Sequence, residues 1–350
     1  MRTAVVTAAI AAVVSFILLL GAGDPTGPNA FIVIGVATGS VYGLFALGIV
    51  LVYKGSRVFN FAQAEFGTMA AFILFILTEQ NLRLRIPFTD TLLFETKANV
   101  NYALAMLIAV AFVVLVGLAM ERVVVRPLLE APRVTVLVAT IAFALLSIGV
   151  QILLFLPEAK ALDPALPGLD AQGNPRGPEI FNYILEPQGI LVIGVLIAFA
   201  AIGAYFFSKT DLGLAVLATS QDPFATRVVG IGVERTSRFI WGSAAFLGAI
   251  AGILFVPLAG VLAPGSVTTG VLIPGFTAAV LGGMTSLPGA FVGGIAVGII
   301  SRVSEWAGGH YYLGDDLLGS VVPGFENVAL VAALLIVLLV RPAGLLGTEA

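Results

Sequence analysis

Long apolar runs recur along nearly the whole chain, and they limit its possible folds more than any other feature. An α-helix needs about 20 predominantly apolar residues to cross a bilayer. Runs of roughly this length lie at residues 4–22, 30–53, 58–78, 101–120, 134–156, 189–207, 239–262, 273–301 and 326–340. The sequence therefore predicts an all-α polytopic membrane protein with eight or nine transmembrane helices.

The composition agrees with a membrane protein and argues against most other classes. Only 11% of the 350 residues are charged and 59% are hydrophobic, whereas soluble domains carry about 25% charged residues. The net charge of −3, with no basic block, argues against nucleic-acid binding. The sequence has no Cys and a single His, His310, so it offers neither thiolate chemistry nor a histidine cluster for a metal. We predict no catalytic residue, no metal and no cofactor.

The first apolar run has two interpretations. Residues 4–22 fit a cleaved signal peptide, with Arg2 in front of them and the small residues 21–23 behind. The run is longer than the usual signal-peptide core of about 7–15 residues, so we favour a retained helix. We treat residues 1–29 as an extra leading helix and outer loop, and residues 30–347 as the main transmembrane domain.

Basic residues alternate between successive connections, which gives the chain an orientation. In membrane proteins, the short loops on the cytoplasmic side carry an excess of Lys and Arg. One alternating set of connections in this sequence has such an excess. These residues are Arg2, Lys54, Arg57, Arg122, Arg126, Arg133, Lys209, Arg227, Arg235 and Arg238. The intervening loops at 23–29, 79–100, 157–188 and 263–272 are of mixed or acidic charge, so we place them outside; the second and third of them are long.

The run 273–301 is interrupted at its centre. It contains Gly282-Gly283, Ser286 and Pro288-Gly289, which disfavour a continuous helix. We favour two half-helices that re-enter from the outer side over a single crossing, because this places the acidic stretch 302–325 outside and Arg341 inside. Broken backbone at membrane depth is tolerated where it lies within protein or lines a polar cavity.

Glycines also recur at four-residue intervals, at Gly35, Gly39 and Gly43, at Gly248 and Gly252, and at Gly294 and Gly298. Small residues at this spacing let transmembrane helices approach closely. A place around a translocation path is the alternative, but we favour ordinary helix packing for each pair.

The stretch from Asn60 to Phe66 is the most polar one next to an apolar run. Its carboxylate, Glu65, would be costly within the membrane. Since Glu65 follows Arg57 by only eight residues, pairing with Lys54 or Arg57 near the inner surface, or a position at a helix N-terminus, would stabilise it. Structural anchoring and a role in lining a path both remain open from the residues alone.

Residues 208–238 form the longest inner connection. Ser220 or Asp222 can cap a short helix that has Pro223 in its first turn, and Gly230 suits the end of such a helix. The segment is either a solvated connector, which we favour from its chemistry, or a docking element for a cytoplasmic partner. The sequence contains no Walker A motif, so nucleotide-driven transport would take its energy from another subunit.

Five stretches in order resemble the permease subunits of branched-chain amino-acid ABC importers, the LivH/LivM family, and are closer to the LivH type. They are the opening G-S-V-Y-G-L at 39–44, the N-F-A-Q-A-E-F at 60–66, the segment 222–233, the A-V-L-G-G-M-T-S-L-P-G-A at 279–290, and the R-P-A-G-L-L-G tail at 341–347. The matched stretches extend over nearly the whole chain.

The resemblance implies an ABC importer permease architecture in a bacterial or archaeal cytoplasmic membrane, surrounded by lipid. The implied partners are a second permease subunit of LivM type or a second copy of this chain, two cytoplasmic ABC ATPases, and an extracytoplasmic substrate-binding protein. A secondary transporter or channel for a small neutral or zwitterionic solute is the alternative. Branched-chain amino acids, other amino acids and small amides are all carried by related permeases.

The resemblance also implies roles for particular residues. The residues expected at the substrate pathway or its gate are Ser40, Tyr42, Asn60, Gln63, Glu65, Thr277, Gly282, Gly283 and Ser286. The residues expected to couple to the ATPase are Ser220, Asp222, Pro223, Arg227 and Gly230.

Overall fold

Helices dominate the computed structural model, because backbone N–H and C=O groups in lipid must be satisfied within the protein. The structure describes residues 28–78, 82–85, 92–96, 100–128, 131–155, 159–170, 173–180, 183–313 and 316–347. The predicted leading span at 4–22, and the choice between a retained helix and a cleaved leader, lie outside these residues.

The helices are bounded as follows in chain order. The first six are α1 Pro28–Ser56, α2 Gln63–Thr78, α3 Tyr102–Met120, α4 Arg133–Phe155, α5 Pro187–Lys209 and α6 Asp211–Gln221. The others are α7 Pro223–Val228, α8 Val233–Ala259, α9 Ser266–Gly282, α10 Leu287–His310, α11 Leu318–Val321 and α12 Phe325–Val340. A π-helical segment, Glu121–Val125, and a 3-10 turn, Arg126–Leu128, extend α3.

In the part of the chain that the structure describes, three small antiparallel hairpins lie in the connections. They pair β1 Leu82–Arg85 with β2 Leu92–Thr96, β3 Glu179–Ile180 with β4 Tyr183–Ile184, and β5 Tyr312–Leu313 with β6 Asp316–Leu317. All three belong to the connections that we expect on the outer side.

Six of the described helices, α1, α3 with its extension, α4, α5, α8 and α10, are long and apolar enough to cross a membrane. The helices α2, α9 and α12 are apolar but shorter. The predicted all-α polytopic class is therefore confirmed, with short helices among the full spans.

The loops predicted to share a side meet at one end of the bundle. The Lys54 ammonium lies 4.5 Å from the centre of the Phe207 ring, and Arg126 forms a 2.8 Å ion pair with Glu234. At the other end, Lys160 of the predicted outer loop 157–188 exchanges backbone hydrogen bonds with Leu262, the last residue of the predicted span 239–262. We call these the inner and outer ends, following the predicted orientation.

The central helix α1 packs antiparallel against α10 through the two predicted glycine series. A Cβ added at Gly298 would lie 2.2 Å from the Cα of Gly39, and one added at Gly294 would lie 2.3 Å from the Cα of Gly43. Backbone contact this close leaves no room for any side chain. The preference for helix packing is confirmed for this pair of helices.

The same device joins α2 to α8. A Cβ added at Gly252 would lie 2.2 Å from the Cα of Gly67, on the neighbouring helix. Gly248, one turn earlier on α8, lies against the backbone of Gln63. The second predicted pair of glycines therefore also serves close packing.

The predicted interruption of 273–301 is present at residues 283–286, between α9 and α10. Both arms are longer than the half-helices we expected, since α9 begins at Ser266 and α10 ends at His310. Ala290 of α10 lies beside Gly43 of α1, and the turn at residues 283–286 is four residues nearer the inner end than Ala290. Because α1 continues from Gly43 to Ser56, the turn stops nine residues short of the inner end of α1, which is about 14 Å at 1.5 Å per residue.

The C-terminal tail closes this turn. The backbone N–H groups of Leu345 and Leu346 donate to the carbonyls of Leu281 and Gly282, at 2.8 and 3.0 Å. Gly283 has a φ of 108° and lies against Ala343 and Gly347, so a side chain at Gly283 would be strained and would clash. Two of the motifs that carry the family resemblance are thus in direct contact.

A second interruption was not predicted. Residues 57–62 are not helical, and α2 begins only at Gln63, so the predicted span 58–78 is wrong in its first part. The side chain of Asn60 accepts a hydrogen bond from the backbone N–H of Ala62 at 3.0 Å. Such local bonds compete with helix formation, which explains why an apolar run is not helical from its start.

Candidate functional site

Glu65 lies in the first turn of α2 and is completely buried. Its carboxylate accepts hydrogen bonds from the Ser147 hydroxyl at 3.1 Å, from the Gln151 amide at 2.7 Å and from the Thr268 hydroxyl. Its position at a helix N-terminus was predicted, but its pairing with Lys54 or Arg57 was wrong. Neutral donors from α4 and α9 surround the carboxylate instead.

The depth of Glu65 explains why it meets neutral donors. Ser147 is fourteen residues along α4 from Arg133, which marks the inner end of that helix. At 1.5 Å per residue, Glu65 therefore lies about 21 Å from this end. An unpartnered carboxylate there would be costly, and the donors offset part of that cost.

The buried stripe of α4 faces this carboxylate. Its residues are Val136, Thr140, Ala144, Ser147 and Gln151. The three polar members bond to one segment, because the Thr140 hydroxyl accepts from the backbone N–H of Phe61 at 3.2 Å and the other two donate to Glu65. The helix α4 is therefore attached through polar side chains as well as through apolar contacts such as the Phe72–Phe155 ring stack.

Asn60 and Gln63 extend these contacts to α8. The Asn60 amide donates to the Gln63 side-chain oxygen at 3.2 Å, and the Gln63 amide donates to the carbonyl of Ala244 at 2.9 Å. The structure thus brings the predicted residues Asn60, Gln63 and Glu65 together. With their partners they form what we call the polar network: Asn60, Gln63, Glu65, Thr140, Ser147, Gln151 and Thr268.

Four members of the polar network were missed by the sequence analysis: Thr140, Ser147, Gln151 and Thr268. Three of them recur on one face of an otherwise apolar predicted span, at the spacing of helical turns. That polar stripe was a usable signal. Thr268 offered none, since it lies in what was expected to be an outer loop.

An aromatic cluster lies next to the non-helical segment. The Phe59 ring centre is 5.1 Å from that of Tyr53 and 5.3 Å from that of Phe276, and the Phe61 ring centre is 6.1 Å from that of Phe276. All four rings are half-buried. We call Tyr53, Phe59, Phe61 and Phe276 the aromatic cluster; it joins residues 57–62 to α9.

A cavity of about 370 Å³ opens between the outer parts of α1, α9, α10 and α12. Its polar lining consists of Tyr42, Thr269, Ser301, Arg302, Glu305, Glu326 and Asn327, and Gly270 and Pro274 complete it. We call it the outer cavity. It contains Tyr42 alone of the predicted pathway residues.

Three charged side chains line the outer cavity. The Arg302 guanidinium forms a 2.7 Å ion pair with Glu305, one turn further along α10, and donates to the Thr38 hydroxyl of α1 at 3.3 Å. Glu326, in the first turn of α12, supplies a second carboxylate. The cavity therefore offers both signs of charge within one small space.

The other predicted pathway residues lie apart from both the polar network and the outer cavity. Ser40 is buried in α1 and its hydroxyl donates to the carbonyl of Val36 at 2.7 Å, while Thr277 is buried in α9. Gly282 packs against Gly289, and the Ser286 hydroxyl caps α10 by accepting from the Gly289 N–H at 3.0 Å. Gly282, Gly283 and Ser286 shape the turn between α9 and α10.

The predicted short inner helix is present as α7. Asp222 caps it by accepting from the backbone N–H groups of Phe224 and Ala225, Pro223 occupies its first turn, and Gly230 follows it with a φ of 84°. Ser220 is not the cap; it lies in α6 and donates to the carbonyl of Leu217. Because α5, α6 and α8 extend into residues 208–238, this connection is mostly helical rather than a loop.

Three large apolar side chains project from α7 and the residue after it. Phe224, Val228 and Val229 are 75%, 72% and 72% exposed. Arg227 lies between them in the sequence, on the last turn of the helix. This apolar surface lies in the connection that we place on the cytoplasmic side.

Comparisons with known proteins agree on one family. The family model described as branched-chain amino acid transport system / permease component matches residues 31–341. The chain is 31% identical to the high-affinity branched-chain amino acid transport system permease protein LivH of Escherichia coli K12, over 317 residues that cover 89% of this chain and 93% of that protein.

More distant relatives show the same pattern. The chain is 29% identical to the permease protein BraD of Pseudomonas aeruginosa, over 89% of this chain and 94% of that protein. It is 24% identical to a probable LivH of Methanocaldococcus jannaschii, over 87% of this chain and 88% of that protein. No solved structure gives a significant match.

Proposed function

The chain belongs to the family of branched-chain amino acid transport permease components, and we propose that it is the translocation subunit of an ABC importer. It is a multi-pass protein of the cytoplasmic membrane. Its cargo in this proposal is a branched-chain or related amino acid, or a small amide, and separate ATPase subunits supply the energy.

The observation that carries this proposal is the apolar surface of α7. Exposed apolar side chains next to one another on the aqueous side of a membrane protein mark a surface for a partner. Asp222 and Pro223 fix where this helix begins, and Phe224, Val228 and Val229 are left uncovered. A groove on a cytoplasmic ATPase would bury these side chains, so α7 is the proposed coupling helix.

The two interrupted segments supply the part that moves in this proposal. The stripe Thr269, Ile273, Phe276 and Val280 runs down one side of α9, from the outer cavity to the aromatic cluster. The rings lie further inward along α9 than the cavity does. Closure of the ATPases would shift α9 relative to residues 57–62 and so separate the rings. The protein would then have two states, one with the rings in contact and one with them apart, and ATP binding would change their populations.

The proposal includes further subunits. This chain forms one half of the translocation unit, and a LivM-type permease or a second copy of the chain forms the other. Two ABC ATPases bind at the inner end, and a substrate-binding protein delivers the cargo at the outer end next to the outer cavity.

Truncation of Phe224 tests this assignment. We expect Phe224→Ala to weaken the recovery of the cognate ABC ATPases with the purified chain about tenfold, because a buried aromatic anchor commonly contributes over 1 kcal/mol to an interface. Val123→Ala is the matched control, since Val123 is 71% exposed in the extension of α3. Equal ATPase recovery with both variants would contradict the coupling role of α7.

A further inference from the structure

We propose that the outer cavity binds the ammonium and carboxylate groups of an α-amino acid, with Arg302 holding the carboxylate and Glu326 the ammonium. This inference rests on the proposed function and deepens it, because it states which part of the cargo the permease itself recognises. It commits to a zwitterion, and thereby excludes neutral amides as ligands of this site.

Arg302 has the donors that a carboxylate needs. A guanidinium carries five N–H donors in a planar fork, which suits carboxylates. Two of its nitrogens are engaged, Nε with the Thr38 hydroxyl and Nη1 with Glu305. These contacts hold the guanidinium at the cavity wall and leave further N–H donors for a ligand.

Glu326 supplies the opposite charge. Its carboxylate accepts a 3.4 Å hydrogen bond from the neutral amide of Asn327, and among the residues that the structure describes no Lys or Arg forms an ion pair with it. Arg302 pairs with Glu305 without using all its N–H donors, and the cavity retains the negative charge of Glu326. A substrate ammonium would meet that charge.

Both charges line the same cavity. Arg302 and Glu305 border it from α10, Glu326 from α12 and Tyr42 from α1. The cavity of about 370 Å³ falls within the range of about 300–1,000 Å³ that is usual for small-ligand sites. Both ends of one amino acid can therefore be held at the same time.

The rest of the lining gives this site little means of recognising the side chain of the amino acid. Besides Gly270 and Pro274, the cavity wall is built from polar side chains, so it has little apolar surface on which to select a branched side chain. The site would therefore distinguish an amino acid from its deaminated or decarboxylated analogue, and would distinguish one side chain from another only weakly.

Competition binding tests this directly. The full chain, purified with the subunits it assembles with, is placed in lipid nanodiscs, and bound radiolabelled L-leucine is displaced by unlabelled compounds. We expect L-leucine, L-valine and L-alanine to compete within about threefold of one another, whereas 4-methylpentanoate and 3-methylbutylamine compete at least tenfold less well, since each lacks one charge-assisted contact.

Substitutions at Arg302 and Glu326 test the two proposed contacts with the substrate. Arg302→Gln and Glu326→Gln should each weaken leucine binding at least tenfold, and Glu234→Gln, which removes a carboxylate at the inner end, should not. Equal competition by the deaminated and decarboxylated analogues would overturn the inference, as would unchanged leucine binding by both variants. If a variant does not fold, the competition series on the unaltered protein still decides.

The outcome is separable from the proposed function. ATP-driven leucine uptake by the complete transporter, together with binding that ignores the charged groups, would overturn this site alone. Absence of ATP-driven uptake would overturn the proposed function, whatever the binding assay shows.

Discussion

Among single residues, Glu65 is the one whose surroundings differ most from expectation. The sequence marks it as exceptional, because it is a carboxylate beside an apolar run. The sequence does not identify the hydrogen-bond partners of Glu65, since Ser147, Gln151 and Thr268 are 82, 86 and 203 residues away. Contacts over such distances follow from helix packing, which no local pattern encodes.

Replacing Glu65 should lower stability in graded steps. Glu65→Ala removes the acceptor of the Ser147, Gln151 and Thr268 donors, of which the Gln151 amide keeps a bond to the Ser147 hydroxyl, and each buried donor left unsatisfied costs about 1–3 kcal/mol. Glu65→Gln keeps one acceptor oxygen and should cost less. The thermal unfolding midpoint of the purified protein in detergent reports both. Glu179→Gln, in the exposed outer hairpin, is the control and should unfold as the unaltered chain does. Wild-type midpoints for both Glu65 variants would refute the account of the polar network.

Among helices and turns, the features that were predicted correctly are those that glycine and proline residues impose on the backbone. Glycine pairs and the Gly-Gly-x-x-Ser-x-Pro-Gly sequence restrict the backbone directly, so close helix packing at the glycines and the turn after α9 were predicted, but not that α1 would meet α10. The break at residues 57–62 was missed, because Val58, Phe59 and Phe61 look like part of an ordinary span. Here the Asn60 side chain bonds locally to Ala62 and Gln63, and the Phe61 N–H donates to Thr140 of α4 in place of a helical carbonyl.

The glycine contact between α1 and α10 gives a sharp test at this scale. Gly298→Ala places a methyl group where the backbone of Gly39 lies, so the helices must separate, at a cost of about 1–3 kcal/mol. Gly194→Ala is the matched control, because a Cβ at this helical position meets nothing within 4 Å. It should be neutral or stabilising by up to about 1 kcal/mol.

Unfolding of the two variants in the same detergent separates packing from helix propensity. A lower midpoint for Gly298→Ala with an unchanged or higher one for Gly194→Ala supports the packing role. Indistinguishable midpoints would mean that the close contact contributes nothing to stability.

For the whole molecule, composition was sufficient to predict a polytopic helical protein, and ordered motifs were sufficient to predict its family. The outer cavity could not be predicted, because Tyr42, Thr269, Arg302 and Glu326 come from four different helices. A cavity of this kind exists only once those helices are packed. The same holds for the aromatic cluster, which joins α1 and residues 57–62 to α9.

The arrangement along the molecule suits a conduit whose energy comes from elsewhere. The outer cavity, the aromatic cluster and the turn after α9 follow one another inward, and α7 exposes its apolar surface at the inner end. In the proposed function, transport depends on ATP and on partner subunits.

Uptake by proteoliposomes is the most direct test of this account. The chain is reconstituted with its partner permease, ATPases and binding protein, and accumulation of radiolabelled leucine is followed with and without ATP on the ATPase side. We predict that uptake requires ATP and all the subunits, and that it persists when ionophores collapse the proton and sodium gradients. Uptake by this chain alone, driven by either gradient and indifferent to ATP, would contradict the account and identify a secondary transporter instead.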